Sequence, residues 1–325
     1  MKQSNNNNYT ELASKLVSLK RVLAVTHINP DGDALGSLCF FRELMALLKI
    51  DCVAYTAGPL PTSLEFLPGF SEITTDKDKV VVYEYDAIIS LDCATPGRTN
   101  LESFIMHRPK ETLFIEIDHH VAIKTPADCL LRIPTAASTT EILFKLATEM
   151  KVEISSNMAK CLLTGIVTDT ANFVHPTATK ETMSAAASML EQGANLARIN
   201  DLTTKTKKVS DLKLWGIALS RLSRHPRFNI VSTVLTAKDL EESGAHIESL
   251  EGIAGFLGGI DAAAVMVLYE SDNGIIRGSL RTTRPDVDVA RLAQFLGGGG
   301  HRQAAGFSVS GRIIREQDTW RIIKL

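Results

Sequence analysis

Short apolar runs bounded by turn residues alternate, over the first half of the chain, with longer stretches whose apolar positions recur at helical intervals. Val22 to Thr26 is β-rich and apolar, and Leu35 to Leu48 follows with helical spacing, which predicts a strand, a loop and a helix in that order. Ala87 to Leu91 reads as a buried strand ending at Asp92, and Thr112 to Ile117 as another ending at Asp118. Alternation of such runs with helical segments such as Thr139 to Met150 implies an α/β domain, its parallel sheet covered by helices on both faces. Ligands of open sheets of this kind sit beyond the carboxyl ends of the strands. Ser155 to Phe173 has helical spacing with Ser155 or Ser156 as N-cap, and Lys180 to Gln192 forms a second helix ending at Gly193.

From Leu196 to Leu222 the pattern turns charged and helical, with a basic cluster at Lys205, Lys207 and Lys208, and reads as a helical connector. Ile230 to Leu235, a helical segment around Ile247 to Leu257, paired apolar runs at Ala262 to Tyr269 and Ile275 to Leu280, a helix from Val287 to Phe295 and a closing strand near Phe307 then make a second, smaller α/β domain. Two domains agree with a length of 325 residues, more than one hydrophobic core usually supports. The expected limits are 1–203 for the first domain, 204–226 for the connector and 227–325 for the second. Met1 to Tyr9, polar with an Asn5 to Asn8 run, is expected to be a frayed tail and lacks the order of a secretory signal. The longest apolar stretch, Gly252 to Tyr269, is broken by Asp261 and three glycines and fails as a membrane span.

Composition narrows the function classes. A net charge of -2 argues against a protein that coats long nucleic acid through a broad basic face, and leaves room for a small anionic substrate held by local charges. The 5 cysteines are widely spaced with no CxxC pair, which suggests neither a disulfide framework nor a structural zinc site and fits a reducing cytoplasm.

Four segments carry the chemistry: His27-Ile28-Asn29-Pro30-Asp31-Gly32-Asp33, Asp92, Asp118-His119-His120, and Asp169. Taken singly, an Asp at a strand end is ordinary turn chemistry. Together they place two imidazoles (His27, His119) and four carboxylates (Asp31, Asp33, Asp92, Asp169) where one sheet edge can gather them. That donor set suits Mn²⁺ or Mg²⁺, with Zn²⁺ or Co²⁺ also admitted, and imidazole tilts the choice to Mn²⁺. Asp31 and Asp33 are expected in an extended turn opened by Pro30 and Gly32, diverging to two metals bridged by Asp92. A metal pair roughly 3.5–4 Å apart activates water and clamps the attacking and leaving oxygens of a phosphoryl centre. The reaction class is then metal-assisted phosphoester hydrolysis, with His120, not needed as a ligand, placed to act on the phosphoryl or leaving oxygen.

A second motif is Gly297-Gly298-Gly299-Gly300-His301 followed by Ala304-Ala305-Gly306-Phe307. It is neither a Walker loop nor a GxGxxG fingerprint. Glycines at 298, 299 and 300 let backbone approach a ligand and turn N–H groups to an anion, and His301 with Arg281 strengthens that reading. Ser138-Thr139-Thr140 before Glu141 is most simply an N-cap that could also face the phosphate, and Arg98 a loop-ordering charge.

With these motifs in place the chain resembles the DHH phosphoesterase superfamily over nearly its whole length. Asp118-His119-His120 matches the naming triplet, and Gly297 to Gly306 looks like the GGGH-xx-AAG signature of the DHH-associated C-terminal domain. The combination is most similar to the stand-alone nanoRNase/3′-phosphoadenosine-5′-phosphate (pAp) phosphatase subgroup, related to the exonuclease RecJ. The resemblance implies one Mn²⁺ held by His27, Asp31 and Asp92, and another by Asp33, Asp92, His119 and Asp169, with His120 acting on substrate. It implies substrate grip by Arg281, the glycine loop and His301, and an active site in the interdomain cleft. Short oligoribonucleotides or dinucleotides and pAp are the implied substrates, cyclic di-AMP the alternative, with pyrophosphatase, exopolyphosphatase or a non-catalytic nucleotide-binding module behind them. No membrane partner is expected, and a homodimer is compatible. Two departures touch the phosphate loop: Val121-Ala122-Ile123-Lys124 where the family often has Asn, and Ala171 where glycine is common.

Overall fold

The computed structural model describes residues 2–121, 125–203, 208–250, 252–271, 273–316 and 319–323, in two compact units, Met1–Thr206 and Lys207–Leu325. Lys205 and Lys207 of the basic cluster, and Ala122, Ile123 and Lys124 after the triplet, lie outside the described residues.

The first unit runs α1 (Lys2–Leu16), β1 (Arg21–Val25), α2 (Gly32–Leu47), β2 (Asp51–Tyr55), α3 (Asp78–Val81), β3 (Ala87–Leu91), α4 (Glu102–Met106), β4 (Leu113–Asp118), β5 (Cys129–Arg132), α5 (Thr139–Glu149), α6 (Ser156–Asp169), α7 (Lys180–Glu191) and α8 (Leu196–Thr203). Its five strands are all parallel in the order β2-β1-β3-β4-β5. Alternate residues of each strand serve opposite faces. Val22, Ala24, Ile89, Ile115 and Ile117 pack under α2, α5 and α6, while Leu23, Val25, Ile88 and Phe114 pack against Val80 and Ile105 of α3 and α4. The strand order reverses between β1 and β3, so the connections leaving those two strands part in opposite directions and open a crevice at their carboxyl ends.

Three sequence expectations change here. From Lys2 onward the expected frayed tail is helical: α1 begins at Lys2, and Tyr9, Leu12 and Leu16, at helical spacing, are buried in the core, with Thr10 donating to Glu149 of α5 at 2.8 Å. Tertiary burial of that stripe overrides the weak propensity of the Asn run. The edge strands β2 and β5, too short and mixed to stand out as apolar runs, complete the sheet. Helix α6 stops at Asp169, four residues before Phe173, because Ala171, Asn172 and Phe173 all take positive φ (46°, 60° and 64°).

The second unit comprises α9 (Val209–Ser220), β6 (Ser223–Arg224), β7 (Ile230–Thr236), α10 (Ala237–Ser243), α11 (Ile253–Leu257), β8 (Ala264–Glu270), β9 (Ile275–Arg281), α12 (Val289–Phe295), β10 (Gly299–His301), β11 (Ala304–Ser310) and a hairpin of β12 (Arg312–Glu316) and β13 (Thr319–Ile323). Six strands form a mixed sheet, β10-β11-β9-β8-β7-β6. The stretch expected as a connector contributes α9 to this unit's core, where Leu214 and Ala218 are fully buried. The glycine run is also more ordered than a loop. Gly297 and Gly298 donate to Gln294 and Ala293 carbonyls at the end of α12, and Gly299–His301 pairs antiparallel with β11. The N–H groups of Gly297 and Gly298 are therefore already used, because they terminate a helix.

Helices α2 and α6 cross closely at glycines. A Cβ on Gly36 would come within 2.6 Å of the Cys161 carbonyl oxygen, backbone that cannot move aside cheaply. Gly36→Ala is therefore expected to lose about 1–3 kcal/mol of stability by overpacking, exceeding the gain of about 1 kcal/mol in helix propensity, as read from urea unfolding.

Candidate metal centre

The site residues gather at the crevice between β1 and β3. Thr26 at the end of β1 donates to the Leu91 carbonyl at the end of β3 (2.8 Å), and Thr56 donates to the His27 carbonyl (2.8 Å), so the strand ends are tied together. His27 Nδ1 lies 2.9 Å from the Ile28 carbonyl. A carbonyl only accepts, so Nδ1 carries the proton and Nε2, 3.8 Å from Asp92 Oδ2, presents its lone pair. Burial lowers the His27 pKa, which favours the neutral, ligating form.

Asp31 and Asp33 do not lie in an extended turn. Asp31 is the N-cap of α2, accepting from the backbone N–H groups of Asp33 and Ala34 at 3.1 and 3.0 Å, and Gly32 is already helical. Four unpaired N–H groups at a helix start make that cap the better use of an Asp. Asp33, within the first turn of α2, points instead at the start of α5. It accepts from Thr139 N (2.7 Å), Thr140 N (3.0 Å) and Thr140 Oγ1 (2.8 Å). Ser138 caps α5 as expected, accepting from Glu141 N. Thr139 Oγ1 donates to Asp92 Oδ1 at 3.0 Å, so one helix start holds two buried carboxylates. Asp92 itself follows β3 at φ 61°, a left-handed conformation that Asp tolerates better than most side chains.

The triplet divides its work. His119 Nε2 stands 3.4 Å from Asp92 Oδ1 and 3.5 Å from Asp169 Oδ2, which arrives from the last residue of α6. His120 turns Nδ1 to Asp118 Oδ1 at 2.7 Å, and its backbone N–H donates to the same oxygen at 2.8 Å. Asp118 is wholly buried. Burial alone would raise its pKa, but the hydrogen bond and charge of His120, with the N–H groups of His120 and Ala94, bring it below the usual carboxylate range. Asp118 thus fixes the His120 ring, a role not assigned from sequence although the residue stands in the motif. The Arg98 guanidinium reaches the Cys93 carbonyl at 3.5 Å, and its backbone carbonyl accepts from Ile28 N at 2.8 Å.

Three sets of side chains can each offer ligand atoms within 4.8 Å of one another: His27, Asp31 and Asp92; Asp33, His119 and Asp169; and Asp92, His119 and His120. Burial raises the pKa of Asp33, and burial plus the charge of Asp33 raises that of Asp92 well above normal. Asp169 is pushed up to about 8 by burial and then by Asp33. Burial would lower the His119 pKa, but the hydrogen bond to Asp92 and the charges of Asp92, Asp169 and Asp33 push it up to about 10. Such crowding of carboxylates under low exposure calls for added positive charge, and hard oxygen donors with imidazole fit divalent cations.

The bonds of Thr139 and Thr140 to Asp33 and Asp92, and the place of Gly165 beside them, are not foreseen by the sequence. The Ser-Thr-Thr run is the available signal, and it points to a cap that could also face the phosphate; its hold on the two carboxylates is visible only when α2 lies beside α5. Gly165 carries no local signal: a Cβ there would come within 2.6 Å of Asp33 Oδ1. In the second unit, Arg281 ends β9 opposite Ala304, and His301 ends β10 opposite the same residue.

A parallel α/β sheet with acidic and imidazole side chains able to hold metal ions gathered at its switch point is the frame of a metal-dependent hydrolase. Residues 21–166 match the DHH family, N-terminal domain, and residues 229–323 match the DHHA1 domain. The chain is 31% identical over 291 residues to a Thermus thermophilus protein described as bifunctional oligoribonuclease and PAP phosphatase NrnA, covering 89% of this chain and 84% of that one. A Bacillus subtilis protein of the same description is 26% identical over 319 residues, covering 95% and 97%. A crystal structure of an exopolyphosphatase-related protein from Bacteroides fragilis superposes with a TM-score of 0.85 at 26% identity, covering 92% of this chain and 90% of that one. The chain belongs to the DHH family of metal-dependent phosphoesterases and carries a DHHA1 domain.

Two outcomes are expected. Loading the metal-free protein with Mn²⁺ at pH 7 releases protons, since Asp169 with a pKa of about 8 and His119 with one of about 10 must shed theirs to ligate. Apparent affinity therefore rises as pH increases towards 8 and beyond, and calorimetry in buffers of different ionisation enthalpy reads the proton count. Asp118→Asn, which can turn an N–H towards His120, is expected to lower kcat on the order of 10²-fold with little change in KM.

Proposed function

We propose that this chain is an Mn²⁺-dependent phosphoesterase that cleaves short oligoribonucleotides to mononucleotides and dephosphorylates pAp in the cytoplasm. The observation that carries the reading is the pair of ligand sets, His27, Asp31 and Asp92 beside Asp33, His119 and Asp169, at one crevice with Asp92 between them. Both relatives named as oligoribonuclease and PAP phosphatase are matched along most of their length, which supports the substrate class.

His27, Asp31 and Asp92 would hold one divalent ion, and Asp33, Asp92, His119 and Asp169 the other. Bound there, the ions supply Lewis-acid charge to the phosphoryl oxygens and lower the pKa of water. The chain's own groups do the rest. Thr139 and Thr140 keep Asp92 and Asp33 in place through their hydrogen bonds. His120, held by Asp118, protonates the leaving ribose oxygen as the oxygen of water bonds to phosphorus and the phosphorus–oxygen ester bond breaks. Arg281, His301 and the strand formed by Gly299 and Gly300 bind the nucleotide. Gly298, with its N–H committed to Ala293, serves that strand by close packing.

A panel of pAp, diribonucleotides, cyclic di-AMP and pyrophosphate assayed with Mn²⁺ tests the reading. Turnover of pAp and diribonucleotides is expected, and hydrolysis confined to cyclic di-AMP or to pyrophosphate would replace it. Asp92→Ala is expected to lower kcat/KM on the order of 10³-fold or more, the several kcal/mol that metal charge contributes. Full activity in that variant would overturn the ligand assignment.

A further inference from the structure

Helix α9 is apolar around most of its circumference. Leu214 and Ala218 are fully buried with Val231 and Val265 of the sheet. On the side away from them a surface helix ordinarily carries polar residues. Here Val209, Leu212 and Leu219 occupy it, exposed by 71%, 55% and 41%. Steps of three, four and three residues align Val209, Leu212, Gly216 and Leu219 into one stripe, the spacing by which paired helices meet. Phe256 of α11, 63% exposed, widens the stripe, its ring centroid 5.4 Å from that of Trp215, which lies one turn from both Leu212 and Leu219.

The exposed parts of Val209, Leu212, Leu219 and Phe256 amount to roughly 500 Å², as large as the largest apolar patch of an ordinary monomer, and to about 1,000 Å² in two copies, where specific interfaces begin. The stripe also complements itself. Val209 and Leu219 share a midpoint along the helix with Leu212 and Gly216, so two antiparallel α9 helices set about that level bring Leu212 of each opposite Gly216 of the other, and Val209 opposite Leu219. Residue i then meets j and j meets i, as a two-fold interface requires. A Cβ on Gly216 would meet nothing within 4 Å, which leaves an open notch for the opposing leucine. Lys213, Ser220 and Glu242 border a single cavity beside Gly216. The two-fold lays that flank against its own copy, cation towards anion.

We propose that α9 is a dimerisation seam, on which a second copy of this chain packs its own α9 antiparallel, with Leu212 of each copy seated over Gly216 of the other. The occupant is set by the match of the stripe to itself: its notch has the place, and its leucine the spacing, that only the same sequence reversed supplies together. None of these residues belongs to the metal centre, whose ligand sets all lie in the first unit, so the seam stands independently of the substrate reading. Each copy keeps a complete metal centre of its own.

Sedimentation velocity of the full-length protein with Mn²⁺, over a series of concentrations, tests the seam. The wild type is expected to dimerise in the micromolar range, as an interface at the small end of the specific class does. Leu212→Glu and Gly216→Lys each put two unpaired charges into the seam and should raise the dimer Kd on the order of 100-fold, about tenfold per charge. Gly216→Lys has open space for its side chain and removes a glycine from a helix, so its far-UV circular dichroism should match the wild type. An equimolar mixture of the Leu212→Glu and Gly216→Lys chains sets the new carboxylate against the new ammonium and should recover dimers to within about tenfold of the wild-type Kd, a rescue that general damage to α9 would not give. Phe295→Ser, on α12 across the sheet, should leave dimerisation unchanged. A wild type that stays monomeric, whether α9 is bare or covered by the first unit of its own chain, would sink the seam. So would a dimer that both charge variants leave intact, or a mixture of the two that remains monomeric.

Discussion

Asp33 and Asp92 are buried within reach of each other's charge, an arrangement whose desolvation alone costs several kcal/mol per ion unless other groups offset it. The N-terminal unit answers that cost with backbone. Asp33 takes two N–H groups from the start of α5, and the side chains of Thr140 and Thr139 reach Asp33 and Asp92. Those bonds orient the carboxylates without neutralising them, and the raised pKa values of Asp33, Asp92 and Asp169 record the shortfall. An underneutralised, preorganised set of this kind is suited to divalent cations, whose charge would offset the repulsion within it.

Several structural features follow from holding that cluster. Asp33 reaches α5 only because α2 and α6 approach closely, and the approach needs glycine at 36 and 165. His27, Asp92 and Asp118 come together because β1, β3 and β4 are adjacent and parallel, so all three chains emerge at the same edge. Behind the triplet, Arg132 pairs with buried Glu116 and also lies 3.8 Å from Asp118, which supports the element that orients His120. Left-handed residues concentrate at this edge, at Asn29, Asp92 and Ala94, and again at Ala171 after Asp169. Backbone strain of this kind persists where the surrounding fold overdetermines it.

The two units divide their surface chemistry differently. The first concentrates negative charge in a crevice. The second leaves arginines unneutralised on a sheet face whose floor is kept open by small residues, Gly299 and Gly306 among them.

Much of this was legible in the sequence because it is local. Apolar runs predicted β1, β3, β4 and most helices; acidic and imidazole residues after those runs predicted a cation-binding edge. Elements that failed to show include the short edge strands β2 and β5, the short helices α3, α4 and α10, strand β6, the β12–β13 hairpin, and α1, whose polar tract is carried by three buried residues. The glycine run looked like a loop because composition reports flexibility and cannot report pairing with β11. Sequence by itself thus determined which donor types are present and that strand ends display them, since periodicity and residue chemistry act over a few positions. Tertiary structure alone decided which donors meet, that Thr139 steadies Asp92 across about 150 Å of fully extended chain and Thr140 steadies Asp33 across about 350 Å, and that Asp118 fixes His120 rather than turning away from it. Those outcomes depend on helix crossings and strand order, which arise from packing between segments distant along the chain.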